Sequence, residues 1–233
     1  MVAYRILDVG ILIKMFKEKK NYLSSPQNWQ DQWEKLDIKL SDKNNTRKFK
    51  RLRRKIFSQC WSREGYSWAL WKINSPYGYG VRIETQMEKI YQSLPLEVRN
   101  NYNQNEIIKK VKYLKETLLV KRIKDIIEKD GINLKSLMKM FFLKRRAFEF
   151  ENETRLILPR LLRYSEFNEE SLGDKNYLSY VCDPCKYVEN ICFDSNINKY
   201  VYDVFKSRFK DFGFTGKIYR SRIDKKPKKI QIK

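Results

Sequence analysis

The chain contains no histidine among its 233 residues. Histidine carries protons near neutral pH and is the commonest metal ligand, so its absence excludes several kinds of site. Ser-His-Asp and Cys-His nucleophilic machinery, paired-histidine zinc sites and imidazole acid–base catalysis are all ruled out. Any chemistry must therefore be carried out by carboxylates, Tyr, Ser, Arg, Lys or Cys.

Long apolar runs are also missing, and none approaches the roughly 18 residues that cross a bilayer. We expect no signal peptide in the first residues, because Asp8, Lys14 and Lys17 interrupt the apolar pattern. We therefore expect a cytoplasmic protein that has no membrane partner.

Cysteine is scarce, with four residues at Cys60, Cys182, Cys185 and Cys192. Cys182 and Cys185 have the spacing of a zinc knuckle. A structural zinc would also need Cys192 and the distant Cys60, since no imidazole can replace them. Buried free thiols in a reducing cytoplasm are the commoner outcome of so weak a pattern, and we predict no metal site.

Acidic residues are few: 28 Asp and Glu stand against 50 Lys and Arg, which gives a formal net charge of +22. A field of this size attracts polyanions, and the resulting affinity weakens with salt as counterions are released. AT-rich coding accounts for abundant Lys but poorly for clustered Arg. We therefore expect nucleic acid as a partner.

The clearest basic cluster is residues 43–55, which hold eight basic residues and no acid. The segment is either a solvated loop or charged helix, or a phosphate-binding patch. Half of its basic residues are Arg and nothing balances them, which favours the patch. The predicted nucleic-acid-binding residues are Arg47, Lys48, Lys50, Arg51, Arg53, Arg54 and Lys55.

The chain has enough apolar residues for a core, at 42% hydrophobic and 14% aromatic. Length and pattern predict one α+β domain over residues 1–233, with a helical lobe inserted at about 86–142. Residues 27–34 are expected to place two Trp on one helical face, and 163–180 to be a polar excursion. Other predicted strands are 2–8, 56–61, 81–85, 151–158, 188–193 and 217–220; predicted helices include 9–18, 68–71 and 196–212, the last ending at Gly213.

The most informative motif is Glu151-Asn152-Glu153, at the start of an apolar run that reads as a buried strand. Residues i and i+2 of a strand share a face, so the two carboxylates would lie side by side. Keeping like charges this close is costly, which suggests a site where one acid binds a substrate group and the other handles developing charge. The alternative is a charged strand edge paired with Arg155 or Lys144.

These segments resemble, in order and spacing, a prokaryotic family named domain of unknown function 2971. The resemblance covers nearly the whole chain except the basic 43–55 segment and the 86–142 lobe. The matching residues are Tyr4-Arg5, Tyr22 to Pro26 with Trp29 and Asp31, Ser58 to Ser62, Ala69 to Ile73 with Ser75, Gly80 to Ile83, Lys144, Phe148, Glu151 to Leu156, Ile191, Asp194 and Gly213.

A more distant resemblance is to ADP-ribosyltransferases, including toxin and phage-defence members. These enzymes have an early-strand Arg or His, a Ser-containing strand and a late strand with Glu-x-Glu. This chain is similar, with Arg5 in the first position, Ser58 or Ser62 in the second, and Glu151 and Glu153 in the third. It departs from the usual Ser-Thr-Ser, because Ser58-Gln59-Cys60 stands there.

This second resemblance implies a split mixed β-sheet that holds NAD as the substrate. Arg5 would bind the pyrophosphate, and Ser58 or Ser62 would brace the nicotinamide ribose. Glu153 would stabilise the oxocarbenium-like centre and Glu151 would orient the acceptor. The nicotinamide would stack on Tyr22, Tyr77 or Tyr79. The hypothesis requires that Glu151, Glu153 and Arg5 reach one cleft.

Three functions remain open. The first is an ADP-ribosyltransferase that modifies RNA or DNA as a toxin or anti-phage effector, restrained by an antitoxin or another inhibitory partner. The second is a non-catalytic nucleic-acid-binding protein with Arg47 to Lys55 as its footprint. The third is a nuclease that holds a divalent ion with Glu84, Glu151, Glu153 and Asp194.

Overall fold

A computed structural model describes residues 1–29, 31–36, 42–160, 166–172 and 175–225 of the chain. The strands in these ranges are β1 (Val2–Asp8), β2 (Lys20–Ser24), β3 (Ile56–Ser62), β4 (Gly80–Gln86), β5 (Ile108–Lys110), β6 (Lys112–Leu114), β7 (Leu143–Arg145), β8 (Glu153–Pro159), β9 (Phe167–Leu172), β10 (Lys175–Val181), β11 (Asn190–Phe193) and β12 (Lys217–Arg220). The α-helices are α1 (Val9–Glu18), α2 (Lys43–Arg53), α3 (Trp68–Asn74), α4 (Met87–Gln92), α5 (Leu96–Asn101), α6 (Gln104–Ile107), α7 (Glu116–Asp130), α8 (Leu134–Met140) and α9 (Lys199–Asp211).

Ten of the described strands form one mixed sheet in the order β12-β11-β4-β1-β3-β2-β10-β9, with β8 paired to β3 and β5 paired to β8. Its neighbours are antiparallel except for β11 and β12, which are parallel. This arrangement of a mixed sheet with helices confirms the predicted α+β class.

The sheet opens around β3, and this opening positions the site. Along one edge of β3, β8 pairs continuously from Ile56 to Ser62. Along the other edge, β1 pairs at Tyr4 with Ser62, whereas β2 pairs at Ser24 with Ser58. Strands β1 and β2 therefore diverge from β3, and the middle of β3 is left between them.

Local signals explain the elements beside this opening. The Asp8 side chain accepts a hydrogen bond from the Gly10 N–H and so caps α1. Ser67 caps α3 in the same way, through the Leu70 N–H. Helix α1 buries Phe16 in an aromatic cluster with α9, where its ring centroid is 5.1 Å from that of Phe209. Helices α1 and α9 therefore pack against each other within the core.

Residues 86–142 contain α4 to α8, as the predicted helical lobe requires, but they also contain β5 and β6. Strand β5 pairs with β8 in the main sheet, and β6 pairs with β7 in a separate two-stranded sheet. The segment is therefore tied into the sheet. Both strands are only three residues long, which is too short for an alternating pattern to stand out.

Other segments also differ from the sequence prediction. Residues 31–36 form turns and not a helix. The predicted polar excursion contains β9 and β10, which pair as an antiparallel hairpin. Their outward side chains are polar, so the apolar alternation is weak. Helix α9 does end before Gly213, which has a φ of 85° and so favours glycine. Within the described residues no helix is both long enough and apolar enough to span a membrane.

Candidate active site

The divergence of β1 and β2 from β3 opens a cavity of about 270 Å³. Strands β1 and β3 contribute Arg5, Ser58 and Ser62 to its lining. The chain at the start of β8 contributes Glu151 and Glu153. Five of the residues that the sequence predicts for catalysis and NAD binding therefore line one cavity. Long separations in sequence are closed by the sheet, which places β1, β3 and β8 side by side.

Tyr22, predicted to stack on nicotinamide, does not line this cavity. Its side chain turns toward α1, where the hydroxyl donates to Glu18 Oε2 at 2.5 Å. The Lys14 Nζ lies 5.0 Å from the centre of the ring. Burial and the hydrogen bond to Glu18 raise the pKa of Tyr22. Tyr22 therefore has a structural role between β2 and α1.

Tyr77 and Tyr79, the other two predicted stacking residues, are also absent from the lining. They lie in the turn after α3, and their side chains are 87% and 55% exposed. No sheet or helix holds these rings against the cavity, because the turn carries them outward. The aromatic residues that do line it are Tyr4, Trp29 and Trp61.

Glu151 and Glu153 meet in a different way from the one predicted. Glu153 is the first residue of β8, whereas Glu151 ends a 3₁₀ turn, Arg146–Glu151. Between them Asn152 has a φ of 43°, a left-handed conformation that Asn tolerates better than most residues. A bend in the chain, and not strand alternation, therefore brings the carboxyl groups together. Ser62 holds this bend, since its hydroxyl donates to the Glu151 carbonyl at 2.7 Å.

Lys144 lies among three carboxylates and is nearly fully buried. Its Nζ is 2.5 Å from Glu151 Oε2, 3.5 Å from Glu153 Oε2 and 3.3 Å from Glu34 Oε1. Burial acts to lower the pKa of Lys144, but these carboxylates outweigh it and the net shift is upward. Lys144 therefore stays charged and holds the acidic cluster together.

Arg155 is the second cation of the cluster. Its Nε and Nη2 donate to Glu153 Oε2 at 2.9 and 2.5 Å, and Nη2 also contacts Glu34. The Trp29 ring lies 4.6 Å from the guanidinium carbon. The cluster thus contains three carboxylates and two cations, so one carboxylate has no full counter-charge. The predicted alternative was a charged strand edge paired with Lys144 or Arg155. The glutamates do contact these two cations, but β8 is not an edge strand, because it lies between β3 and β5.

The two glutamates differ in their acidity. Burial and the adjacent Glu153 carboxylate raise the pKa of Glu151 to about 7. Burial also opposes ionisation of Glu153, but Arg155 and Lys144 outweigh it and lower the pKa of Glu153. The pair therefore consists of one carboxylate that is ionised and one group that gains or loses its proton near neutral pH. Environments that separate two carboxyl groups in this way suit acid–base chemistry.

Arg5 brings a positive charge that lacks a carboxylate partner among the described residues. Its Nη1 is buried and has no hydrogen-bond partner there. Burial lowers the pKa of Arg5, although an arginine keeps its proton at neutral pH. Buried polar groups in proteins are normally paired, so an unpaired guanidinium beside a cavity is suited to bind an anion.

The two serines of β3 have different surroundings. The Ser62 hydroxyl is used by the protein, since it donates to Glu151 and accepts from the Glu64 N–H at 2.9 Å. The Ser58 hydroxyl is buried and has no partner among the described residues. Ser58 is therefore the serine that remains available to a bound molecule, while Ser62 positions Glu151.

The loop after β3 closes one side of the cavity. A Cβ on Gly65 would lie 2.6 Å from Cζ of the Tyr4 ring, so only glycine allows the loop to approach this closely. Glu64 from this loop lines the cavity and accepts a hydrogen bond from the Asn152 side chain at 2.7 Å. The loop thus connects β1 to the bend that carries the glutamates.

The carboxylates of the nuclease hypothesis do not gather at one point. Asp194 is buried and accepts a hydrogen bond from Ser75 at 2.8 Å. Glu84 pairs in register with Tyr4 on β1. Among the described residues no three or more Cys, Asp or Glu side chains are arranged so that they could hold a metal ion; the carboxylates of Glu34, Glu151 and Glu153 surround Lys144 instead. The four cysteines are free thiols, and burial raises the pKa of Cys60, beside the cavity, to about 12.

The basic 43–55 segment forms α2 and the turn that leads into β3. Phe49 is buried, and Arg47, Lys48 and Arg51 are exposed. Arg53 donates to the Lys35 carbonyl at 2.8 Å. All seven residues predicted to bind nucleic acid are described, and none of them lines the candidate active site. The structure therefore does not bring this patch and the glutamates into one site.

Sequence reasoning did not include Glu34 or Trp29 in the site. Both come from the stretch between β2 and α2, where the spacing of the two Trp predicted a helix but the described residues form a short 3₁₀ helix and turns. Arg82 was also missed, although it lines the cavity and lies 4.9 Å from the Tyr4 ring. In the alternating apolar and polar pattern of β4, Arg82 looks like an ordinary outward-facing polar residue, so the sequence carries no distinct signal for it.

Comparison with protein-family models, with curated proteins and with solved structures gave no match. The resemblances to domain of unknown function 2971 and to ADP-ribosyltransferases therefore stay predictions. Function has to be inferred from the geometry of the site.

Proposed function

We propose that the chain is an NAD-dependent ADP-ribosyltransferase that modifies nucleic acid. The observation that carries this proposal is the shared cavity, whose lining includes both Arg5, with its unpaired Nη1, and the Glu151 and Glu153 pair. We also propose that the divergence of β1 and β2 is the split sheet of the ADP-ribosyltransferase fold. A cation for phosphate and two unlike carboxyl groups suit cleavage of a charged nucleotide.

NAD is a substrate in this proposal. Arg5 binds the pyrophosphate, because a planar guanidinium matches phosphate oxygens in pairs. The Ser58 hydroxyl binds the nicotinamide ribose. The cavity of about 270 Å³ lies just below the range of ligand pockets, which occupy roughly 300 to 1,000 Å³. We expect it to hold the nicotinamide and its ribose, with the adenosine end outside.

The reaction transfers ADP-ribose in two bond changes. The bond from ribose C1′ to the nicotinamide nitrogen breaks, and its electron pair leaves with neutral nicotinamide. The ionised Glu153 stabilises the positive charge that develops on the ribose. The acceptor atom then bonds to C1′ and its proton passes to Glu151, whose pKa of about 7 suits a base at neutral pH. No step needs an imidazole.

The acceptor is inferred from charge. A net charge of +22 raises the local concentration of a polyanion and the rate of its association. It gives little advantage to an enzyme that modifies small molecules. Modification of RNA or DNA would harm a cell, so we propose a cytoplasmic toxin or anti-phage effector, kept in check by an antitoxin or another inhibitory protein.

The second candidate is a non-catalytic nucleic-acid-binding protein. The observation that favours it is α2, whose basic face is exposed and lies apart from the glutamates. In that case charge removal at Arg47, Lys48 and Arg51 would abolish function, and changes at Glu153 would have no effect. The nuclease has less support, because its proposed ligands are dispersed.

The deciding experiment incubates the protein with NAD that carries a label in the adenylate phosphate, together with separate pools of RNA, DNA and protein. We expect label on a nucleic-acid pool. Glu153→Gln should abolish transfer, and Glu149→Gln, an exposed neighbour that pairs with Arg146, should not. Label on none of the three pools would remove the proposal.

Glu153→Gln also needs a folding control, because it removes the carboxylate that accepts two hydrogen bonds from the buried Arg155. Glu151→Gln leaves those two hydrogen bonds in place, and Lys144 keeps the carboxylates of Glu34 and Glu153 beside it. We expect Glu151→Gln to fold, to release nicotinamide into water and to lose transfer to nucleic acid. Far-ultraviolet circular dichroism of each variant shows whether the fold is intact.

A further inference from the structure

A larger cleft of about 930 Å³ lies beside the candidate active site. Strand β12, the end of β11 and the segments at residues 195–196 and 221–225 line it. Arg82 and the loop after β3 border both cavities, the loop through Glu64 on one side and Gly65 on the other. The two cavities are therefore neighbours, separated by one side chain and one loop.

The strand register places one lining residue of each cavity on the same face of the sheet. Arg82 on β4 is opposite Ile6 on β1 and also opposite Cys192 on β11. Cys192 is in turn opposite Tyr219 on β12. Directly opposed residues point to the same face. Ile6 lines the candidate active site and Tyr219 lines the cleft, so a molecule in the cleft can extend toward the glutamates.

The cleft is strongly basic and its charges are not paired. Among the described residues, none of its basic side chains has a carboxylate within 4.0 Å. One acid, Asp224, accompanies them, and its oxygens accept hydrogen bonds from Trp68 and Ser195. The basic residues are Arg82, Lys217, Arg220, Arg222 and Lys225.

Arg82 is the innermost of these cations. It is nine-tenths buried, and its Nε has no hydrogen-bond partner among the described residues. Its Nη2 donates to the Tyr219 hydroxyl at 2.9 Å. The protein thus positions a buried guanidinium with neutral groups and leaves its charge available at the point where the cleft meets the active site.

Aromatic rings stand among the cations. Tyr66 lines the cleft and is 71% exposed. Lys217 Nζ lies 5.4 Å from the centre of the Tyr219 ring. Alternating cations and exposed rings suit single-stranded nucleic acid, whose phosphates pair with Lys and Arg while its unstacked bases stack on rings. A duplex offers no free base faces to such rings.

We propose that this cleft binds a single-stranded nucleic acid and presents it to Glu151 as the acceptor, an inference that rests on the proposed transferase activity. Backbone phosphates contact Arg220, Arg222 and Lys225, and a base stacks on Tyr66. Helix α2, by contrast, contributes to the general field of the protein without leading to the glutamates.

The test compares two triple variants that remove the same charge from exposed positions. One is Arg220→Ala, Arg222→Ala and Lys225→Ala in the cleft; the other is Arg47→Ala, Lys48→Ala and Arg51→Ala on α2. Fluorescence anisotropy with labelled RNA and DNA strands of roughly 12 nucleotides measures affinity. We expect the cleft variant to bind at least tenfold more weakly and to reduce the salt slope by about 2. We expect less than a threefold change for the α2 variant.

Equal weakening by both variants would overturn the inference, because the total charge alone would then explain binding. Stronger weakening by the α2 variant would also overturn it. The stacking role is tested by Tyr66→Ala, expected to weaken binding of single strands about tenfold, against Tyr66→Phe, which keeps the ring and should bind normally. Equal binding by the two Tyr66 variants would contradict the stacking contact.

Nicotinamide release into water separates this inference from the proposed function. The cleft variant should release nicotinamide with an unchanged KM for NAD, since water then replaces the acceptor. A raised KM for NAD would overturn the inference, because the cleft would then hold the adenosine end of NAD. The native protein could also fail to release nicotinamide while the cleft variant, and not the α2 variant, loses binding of single strands. That result would support the binding site and would exclude the transferase activity.

Discussion

At the scale of single residues, Glu151 should set the pH dependence of transfer. Because its pKa is about 7, the fraction able to accept a proton rises as pH passes through this value. We expect the rate of transfer to nucleic acid to rise with pH up to about 7 and then level off. In Glu151→Gln the rise of the rate with pH should disappear, and the rate itself should fall by about 100-fold or more. An unchanged limb in the variant would assign the titration to another group.

The same residue should affect stability with a defined sign. The pKa of Glu151 is raised from 4.5 in the unfolded chain to about 7 in the folded one. The stabilisation that Glu151 contributes to the folded state is fully present below pH 4.5. It is lost as pH rises through 7, because the Glu151 carboxyl releases its proton at a lower pH in the unfolded chain than in the folded one. The loss is on the order of 3 kcal/mol.

Urea unfolding at pH 5 and pH 8 checks this sign. Relative to the native protein, Glu151→Gln should gain stability between the two pH values, since glutamine does not titrate. Glu153 has a lowered pKa, so its contribution is present above 4.5 and is lost in acid, outside this window. If the free energies of unfolding of Glu151→Gln and the native protein differed by the same amount at pH 5 and pH 8, the account would be contradicted.

Arg5 should lower the stability of the folded protein and raise its affinity for NAD. A buried guanidinium without a carboxylate partner costs desolvation energy that nothing offsets. Arg5→Met should therefore leave the melting temperature unchanged or raise it. The affinity for NAD should fall about tenfold or more, because charge-assisted hydrogen bonds to phosphate are lost. Calorimetry measures both quantities, with the exposed Arg122→Met on α7 as the control. A large loss of stability with normal NAD affinity would give Arg5 a structural role instead.

At the scale of elements, the bend at Asn152 should matter more than the strand that follows it. A branched residue there would resist the left-handed conformation by roughly 1 to 2 kcal/mol, whereas glycine adopts it freely. We expect Asn152→Gly to keep nicotinamide release within a few-fold of the native rate and Asn152→Val to lose about tenfold or more. Similar activity of the two variants would show that the bend does not hold the glutamates in place.

The elements also show how far the sequence could be interpreted. Local patterns predicted β1, α1 and β3 close to their observed ends, because α1 buries one apolar face and β3 is buried along most of its length. The hairpin of β9 and β10 was missed, since its polar residues hide the alternation. The bend at Asn152 depends on the Ser62 hydroxyl, which lies far away in sequence. Local patterns carry no information about such a contact.

The sequence also predicted some parts of the candidate site and not others. Arg5, Ser58, Ser62, Glu151 and Glu153 were predicted to share a cleft, and they line one cavity. The tyrosines were not predictable, because their direction depends on packing against α1 or on the path of a turn. The counter-charges at Lys144 and Arg155 were considered only as partners at a strand edge, because the pairing of β5 along β8, which makes β8 an interior strand, was not predicted.

At the scale of the whole molecule, the charge of +22 should make the two half-reactions respond differently to salt. The KM for nucleic acid should rise steeply with KCl, as phosphate binding releases counterions. Nicotinamide release without nucleic acid should change little, because the buried cluster is screened weakly. Parallel measurements at low and physiological salt compare the two. Equal loss of both activities would point to a general effect on the enzyme and not to the acceptor.

The central claim is that one cavity brings Arg5 and the two glutamates to the nicotinamide end of NAD. Chromatographic assay of free nicotinamide, in the native protein and in Glu153→Gln, tests this claim most directly. The account predicts steady release by the native protein and a rate lower by about 100-fold or more in a folded variant. Absence of release by the native protein with any acceptor, or equal rates in the two proteins, would contradict it.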